Sequence, residues 1–446
     1  MNEMPGSRYY DMRHVTGQVT HIDIDNGVVE SAGTSFFSKA VIRVLGPRGW
    51  GILQVDNYIP CTGKKFAGLL ESAGRLAQVT EEPVSLADAP RSVLPVPAVQ
   101  EDCRDVSIEE KSALLAEIER AARHPRVASR RAGYMERIEH VSFSDSSGTE
   151  YAYEICRSGF TVMAVASQTG NIQMGYERDH SIHGFNLRHR QETGKKAADI
   201  AVALLDAGAV KGGKMRVVLD PELAGVFAHE AVGHASEGDL IYEGNSVLGG
   251  MTGKTIGNGY LTIVDDPSVQ EFGFEPVDAE GVAVGRTEII KKGVVNAFLH
   301  DRETLSAVGD GLAGHARAMP GEPPLVRMSN TYIETGDATT DEILTECRNG
   351  IFLVGSRGGQ VDPGRGIFQF NAEYGYLIEQ GERTRMVRDV SLSGEILSTL
   401  HGIVLCGNKR VMHPGYCGKG GQSVPVSDGA PHVLVAEAVV GGSGMD

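Results

Sequence analysis

The chain has 446 residues, 41% of them hydrophobic, and a formal charge of −16. That length predicts two domains with sizeable cores, and the acidic balance argues against a nucleic-acid partner, which would demand a basic surface. Glycine is abundant at 57 residues beside 18 prolines, with no collagen period, so a strand-rich chain with many turns is expected.

The opening "MNEMPGSRYYDMRHV" lacks the apolar run of a secretion leader. The best apolar stretch, "ADIAVALLDAGAV", is short and carries aspartates, so no membrane span is expected. Together these give a cytoplasmic setting, in which the six scattered cysteines stay reduced.

Along the chain, "GQVTHIDIDNGVVES" alternates around Asn26-Gly27, a hairpin signal, and "KAVIRVL" and "WGILQVDN" continue the strands. Helical spacing follows, with Phe66, Leu69, Leu70 and Ala73 on one side. After a proline-bearing connector, Ser107 and Glu110 open a second helix as a capping box. Residues 134–177 return to alternation, with turn signals at Ser147-Gly148, Ser158-Gly159 and Thr169-Gly170. A third helix runs through "HRQETGKKAADIAVALLDA". Helices on one face of an antiparallel sheet make an α+β domain over residues 1–210. Residues 211–446 form a second, mainly antiparallel β domain carrying one motif of chemical interest on one of its few helices.

That motif is "VFAHEAVGHASEGD". A metal site for hydrolysis wants three protein ligands, one open position, and a nearby carboxylate to take a proton from water. His229, Glu230 and His234 offer two ligands and a base, but the histidines stand five apart. On a regular α-helix that leaves them about 140° apart around the axis. Either a π-type turn brings them together, with Gly233 absorbing the strain, or the helix ends there. The surrounding residues are small and apolar, so buried imidazoles and a carboxylate need partners. A third ligand could be Glu237 or Asp239 just downstream, or Cys417 in the glycine-rich "HPGYCGKGGQSVPV". There Gly418, Gly420 and Gly421 would let backbone approach a metal or substrate closely, and Lys419 would favour the thiolate.

Four blocks in order, "LAGVFAHEAVGHASEGD", "RMSNTYIETGD", "GGQVDPGRGIFQFNAEYGYLIEQGE" and "CGKGGQSVPV", resemble the TldD family of metalloproteases in the TldD/PmbA group. The resemblance is close from about residue 215 onward and one of layout before it. It implies a zinc-dependent peptidase for short or unfolded peptides, leader segments included. It implies His229, His234 and Cys417 as zinc ligands and Glu230 as catalytic base. It also implies an extended peptide substrate and a heterodimer with a metal-free PmbA/TldE-like subunit, a homodimer being the other possibility. Glu237 and Asp239 are read as groups orienting a ligand imidazole, and His413 as a fourth-ligand candidate disfavoured by the need for an open position.

Other segments are weighed beside these. "GGMTGKT" imitates a phosphate loop, but Leu248 stands where the first glycine is required. His180 and His183 in "ERDHSIHGF" read as an exposed polar loop. Arg327, Ser329 and Asn330 read as strand-end groups that bind a peptide backbone, with Gly418 and Gly420 beside them. A non-catalytic peptide-binding subunit of the same group is the alternative function, and the intact histidine–glutamate motif argues against it.

Overall fold

The computed structural model describes residues 8–442; the first seven residues of the stretch read for a leader lie outside them. The fold is mixed α and β with mostly antiparallel sheets, as the alternating segments imply. In the N-terminal half, β1 (Tyr9–Asp25), β2 (Val28–Gly46), β3 (Gly49–Asp56), β4 (Val127–Asp145), β5 (Glu150–Gln168) and β6 (Asn171–Ser181) form one antiparallel sheet. Its order is β3-β2-β1-β4-β5-β6. Helices α1 (Gly63–Ala77), α2 (Ile108–Ala121) and α3 (Gln191–Asp206) cover one face. Strand period two decides which residues they meet. Met12, Ile22, Ile24, Tyr134, Phe160 and Val162 pack under the helices. Asp11, Arg13, Arg157 and Arg178 project from the other face toward the C-terminal half.

The Asn26-Gly27, Ser147-Gly148 and Thr169-Gly170 turns form with left-handed glycines. Ser158-Gly159 does not turn the chain: it lies inside β5. The glycine is there because His180 of β6 lies over it; a Cβ would come within 2.2 Å of that ring. Ser107 caps α2 by accepting from Glu110 N–H at 3.2 Å.

The C-terminal half holds two larger sheets. In one, β7 (Gly213–Leu219) lies between Val433–Gly441, antiparallel, and Gly350–Val354, parallel. In the other, β8 (Ile263–Asp265) pairs antiparallel with Asn330–Ile333, which runs parallel to Gln422–Ala430. The hairpin partner of that last strand is Val411–Lys419. From β7 the chain enters α4 (Pro221–Phe227), which packs on the Gln422–Ala430 strand. Among the described residues no helix is long and apolar enough to cross a membrane, and all six cysteines are free.

The two halves meet through charge. Arg43 bridges Asp11 at 2.6 Å and Glu280 at 3.0 Å, all three buried. Arg178 donates to Glu222 of α4 at 2.7 Å and to the Pro414 carbonyl at 2.8 Å. Buried arginines cost desolvation and return it only when every donor is well placed, so these contacts fix orientation.

Helix α4 approaches its strand so closely that Gly225 has no room for a side chain. A Cβ there would lie 2.9 Å from the Gly429 nitrogen and 3.0 Å from the Asp428 carbonyl carbon. Gly225→Ala is expected to cost about 1–3 kcal/mol of stability, read from the urea midpoint. An unchanged midpoint would show that the strand yields.

Candidate metal centre

The local sequence sets the site. Asp220 caps α4, accepting from Leu223 N–H at 2.9 Å, and Pro221 occupies the first turn. The helix widens into a π turn over Ala228–Gly233 and tightens to a 3-10 turn over His234–Ser236. The chain leaves helical geometry at Glu237, whose ψ is 126°. Wider winding turns the chain less per residue, so His229 and His234 face each other with ring centroids 5.4 Å apart. Gly233 is not a strained residue: its φ of −57° and ψ of −58° are ordinary helical values. It is glycine because a Cβ would lie 1.9 Å from the Met328 sulfur.

Cys417 comes from the hairpin strand rather than from a loop. The glycine-rich turn lies just beyond it, with Gly420 at φ +57° and Gly421 at φ +79° closing Lys419 onto Gln422. Both left-handed values mark the two-residue turn that suits strand twist. Gly420, anticipated as a substrate contact, supplies a left-handed position of this turn. Gly418 sits exposed on the strand with open space about it.

Among the described residues, His229, His234 and Cys417 form a cluster whose ligand atoms all lie within 4.8 Å of one another. The Cys417 sulfur is 3.5 Å from His234 Nε2. Each histidine is held from behind. His229 Nδ1 lies 2.8 Å from Asp428 Oδ1, close but not aligned as a hydrogen bond. His234 Nδ1 bonds Glu237 Oε2 at 2.9 Å. Both contacts leave Nε2 for a metal. Lys419 does not activate the thiol: it pairs with Glu237 at 3.0 Å and Asp239 at 2.6 Å. Glu237 and Asp239 therefore orient the cluster and do not join it, and neither does His413.

The electrostatics suit a cation. Burial pushes the Cys417 thiol up, but the two imidazoles overcome it and bring it down to about 5. Burial would lower His234, yet Glu237 and Cys417 raise it to about 10. His229 is likewise raised against burial by Asp428 and Cys417. Glu237 is fully buried, yet His234 and Lys419 hold its carboxyl below the usual value. These shifts run together, toward a thiolate facing charged imidazoles. The donor set fits a zinc-type ion: bonds of roughly 2.0–2.3 Å place tetrahedral ligands about 3.4–3.7 Å apart, a small contraction of what is present.

Glu230 is more open to solvent than either histidine, its side chain 36% exposed against 13% for His234 and 3% for His229. It stands 3.8 Å from His234 Nε2.

Two anticipated substrate contacts lie elsewhere. Arg327 is wholly buried and donates to the carbonyls of Cys417 and Gln422. Asn330 is wholly buried too, donating to Asp266 O and Val269 O at 3.0 Å each and accepting from Gly273 N–H. With those partners taken, Arg327 supports the hairpin and Asn330 the segment from Asp266 to Gly273. His180 is no loop residue: on β6 it stacks edge-on against Phe272 with centroids 4.9 Å apart. Burial, with Arg178 adding to it, lowers His180 to about 4.

Asp428 is the contact the sequence reading missed. Had the two glycines been taken as a hairpin turn, the register would follow. Cys417 pairs with Val424, so Asp428, four residues on, shares its face.

Models of a three-part metallopeptidase match the chain in succession. Residues 10–73 match PmbA/TldA metallopeptidase domain 1, residues 101–205 the central domain, and residues 212–442 the C-terminal domain. The class these models define is a metallopeptidase family. The chain belongs to the PmbA/TldD family. A metalloprotease of Archaeoglobus fulgidus is 39% identical over 98% of this chain and 100% of its own. A zinc metalloprotease TldD homolog of Saccharolobus solfataricus is 32% identical over 72% of each. TldE from Thermococcus kodakarensis has the same fold, with a TM-score of 0.79, 18% identity and coverage of 97% and 96%.

Because a cation replaces protons in this cluster, zinc binding near pH 7 is expected to release about two of them. Loading the metal-free protein in weak buffer with a pH indicator measures this. Zinc uptake without proton release would contradict charged imidazoles beside the thiolate.

Proposed function

We propose that the protein is a zinc-dependent peptidase acting on short or unfolded peptides, leader segments of modified peptides included. One observation carries the reading: a buried two-histidine, one-cysteine cluster with a solvent-facing glutamate on the residue after the first histidine. His229, His234 and Cys417 would hold the zinc. When bound, the ion supplies Lewis acidity toward water and the scissile carbonyl. Glu230 takes the proton of the attacking water and delivers it to the leaving amine. Asp428 and Glu237 keep the two imidazoles turned with Nε2 inward. A cytoplasmic setting suits a cluster that depends on a reduced cysteine.

A cavity of about 500 Å³ beside the Cys417 strand supports an extended substrate; Asp23, Phe160, Tyr176, His180 and Tyr416 are among its lining. Such a groove favours backbone recognition with modest demands on side chains. The likeness to TldE supports assembly with a related metal-free subunit, a homodimer being the alternative.

Purified protein is expected to carry about one zinc per chain, with His229→Ala and Cys417→Ala losing it. Glu230→Gln should keep the metal and the unfolding midpoint while cleavage of an unstructured peptide falls roughly 10²–10⁴-fold. Near wild-type cleavage by that variant would falsify the assignment of the base. Absence of metal from active protein would sink the zinc reading altogether.

A further inference from the structure

Between the N-terminal sheet and the outer side of the Cys417 hairpin lies a cavity of about 40 Å³ that is partly open to solvent. One water needs roughly 10–15 Å³ on this measure, so there is space for a small polyatomic guest. Its wall is unusual in charge. Arg13, Arg137, Arg157 and Arg317 line it against two carboxylates, Glu139 and Glu275. Four guanidinium groups facing two carboxylates leave two positive charges uncompensated.

The pairing is as uneven as the count. Arg157 and Arg317 share one oxygen of Glu275, at 3.1 and 2.8 Å. Glu139 stands 3.6 Å from Arg137 and 3.8 Å from Arg157, beyond hydrogen-bond reach. Arg13 has no carboxylate within ion-pair distance among the described residues, and its one hydrogen bond is a long one of 3.4 Å to Met319 O. Buried Arg137 Nε, Arg317 Nε and Glu139 Oε1 have no hydrogen-bond partner. Arg317 itself is 4% exposed. Burial, with Arg157 and Arg327 nearby, pushes its guanidinium below the usual value against the pull of Glu275. Arg157 also donates to the Phe272 and Phe274 carbonyls and Arg317 to that of Met328, whereas Arg13 and Arg137 are half-buried and keep donors free for an incoming acceptor; partly desolvated charge is costly unless something pairs it.

We infer that the cavity is an anion site, taking a carboxylate- or phosphate-sized oxyanion from solution between Arg13, Arg137 and the Arg157–Arg317 pair. Guanidinium forks suit two-oxygen acceptors. The guest would bridge β1, β4 and β5 to Tyr416, Ser423 and Pro425 of the hairpin, so it would brace the strand that presents Cys417 from the side away from the metal.

The test uses the metal-loaded full chain at constant ionic strength. Acetate or inorganic phosphate is titrated against a bulky sulfonate buffer anion that the cavity does not admit. A saturable rise in Tm with the small oxyanions only is expected. Arg13→Met and Arg137→Met should each weaken the apparent Kd at least about tenfold. Arg13→Met should also hold or raise the Tm in the sulfonate buffer, because it removes a charge with no partner. A Tm that tracks ionic strength whatever the anion, or an undiminished phosphate response in both variants, would overturn the site. Peptides with free and amidated C-termini separate the other source of the same chemistry. A wild-type preference for the free terminus that Arg13→Met abolishes would give the cavity to the substrate's own carboxylate and overturn the free-anion assignment.

Discussion

The metal cluster rests on one contact, the backbone-to-backbone seating of α4 on the Gln422–Ala430 strand. Gly225 lies against the Asp428–Gly429 peptide, and one turn later His229 reaches the Asp428 carboxylate. A longer helix–strand spacing, of the sort any side chain at Gly225 would impose, would lift both histidines off the hairpin. Met328 pressing on Gly233 makes the second anchor. Two glycines with ordinary helical or extended geometry are thus needed for space, not for backbone freedom.

A charged layer keeps that seating in register with the rest of the molecule. Arg178 of the N-terminal sheet holds α4 through Glu222 and the Cys417 strand through the Pro414 carbonyl. Its two ends therefore fix the pieces that supply the histidines and the cysteine relative to each other. Arg327 locks the hairpin itself, donating to the Cys417 and Gln422 carbonyls. The residues nearest the chemistry are held by others set behind them, and arginine suits the task because its fork reaches two acceptors at once.

Much of this was legible in the sequence, for reasons that differ by feature. The long alternating segments and the Ser107 cap are local signals, and the structure has them where the pattern put them. The histidine–glutamate motif was also visible, including the choice between a π turn and a helix end; the chain does both, in that order. Ser158-Gly159 misled because a glycine demanded by His180 on a neighbouring strand looks, in one dimension, like a turn. Arg327 and Asn330 misled for the same kind of reason: polar residues near a candidate site suggest ligand contact, yet their partners are backbone groups distant in sequence. Asp428 was missed because its place depends on hairpin register, which the Gly420-Gly421 pair sets and which the reading of those glycines as room for close approach did not supply.

The hairpin origin of Cys417 has a consequence for how the proposed metal would be acquired. Joining that sulfur to His234 spans 183 residues of chain, and closing so long a loop costs about 4–5 kcal/mol of chain entropy by the logarithmic rule. A nascent or unfolded chain offers only the neighbouring histidines, a poor donor set. The complete set appears after two sheets have formed and docked, so an ion held there would be captured by a finished frame and would not nucleate it.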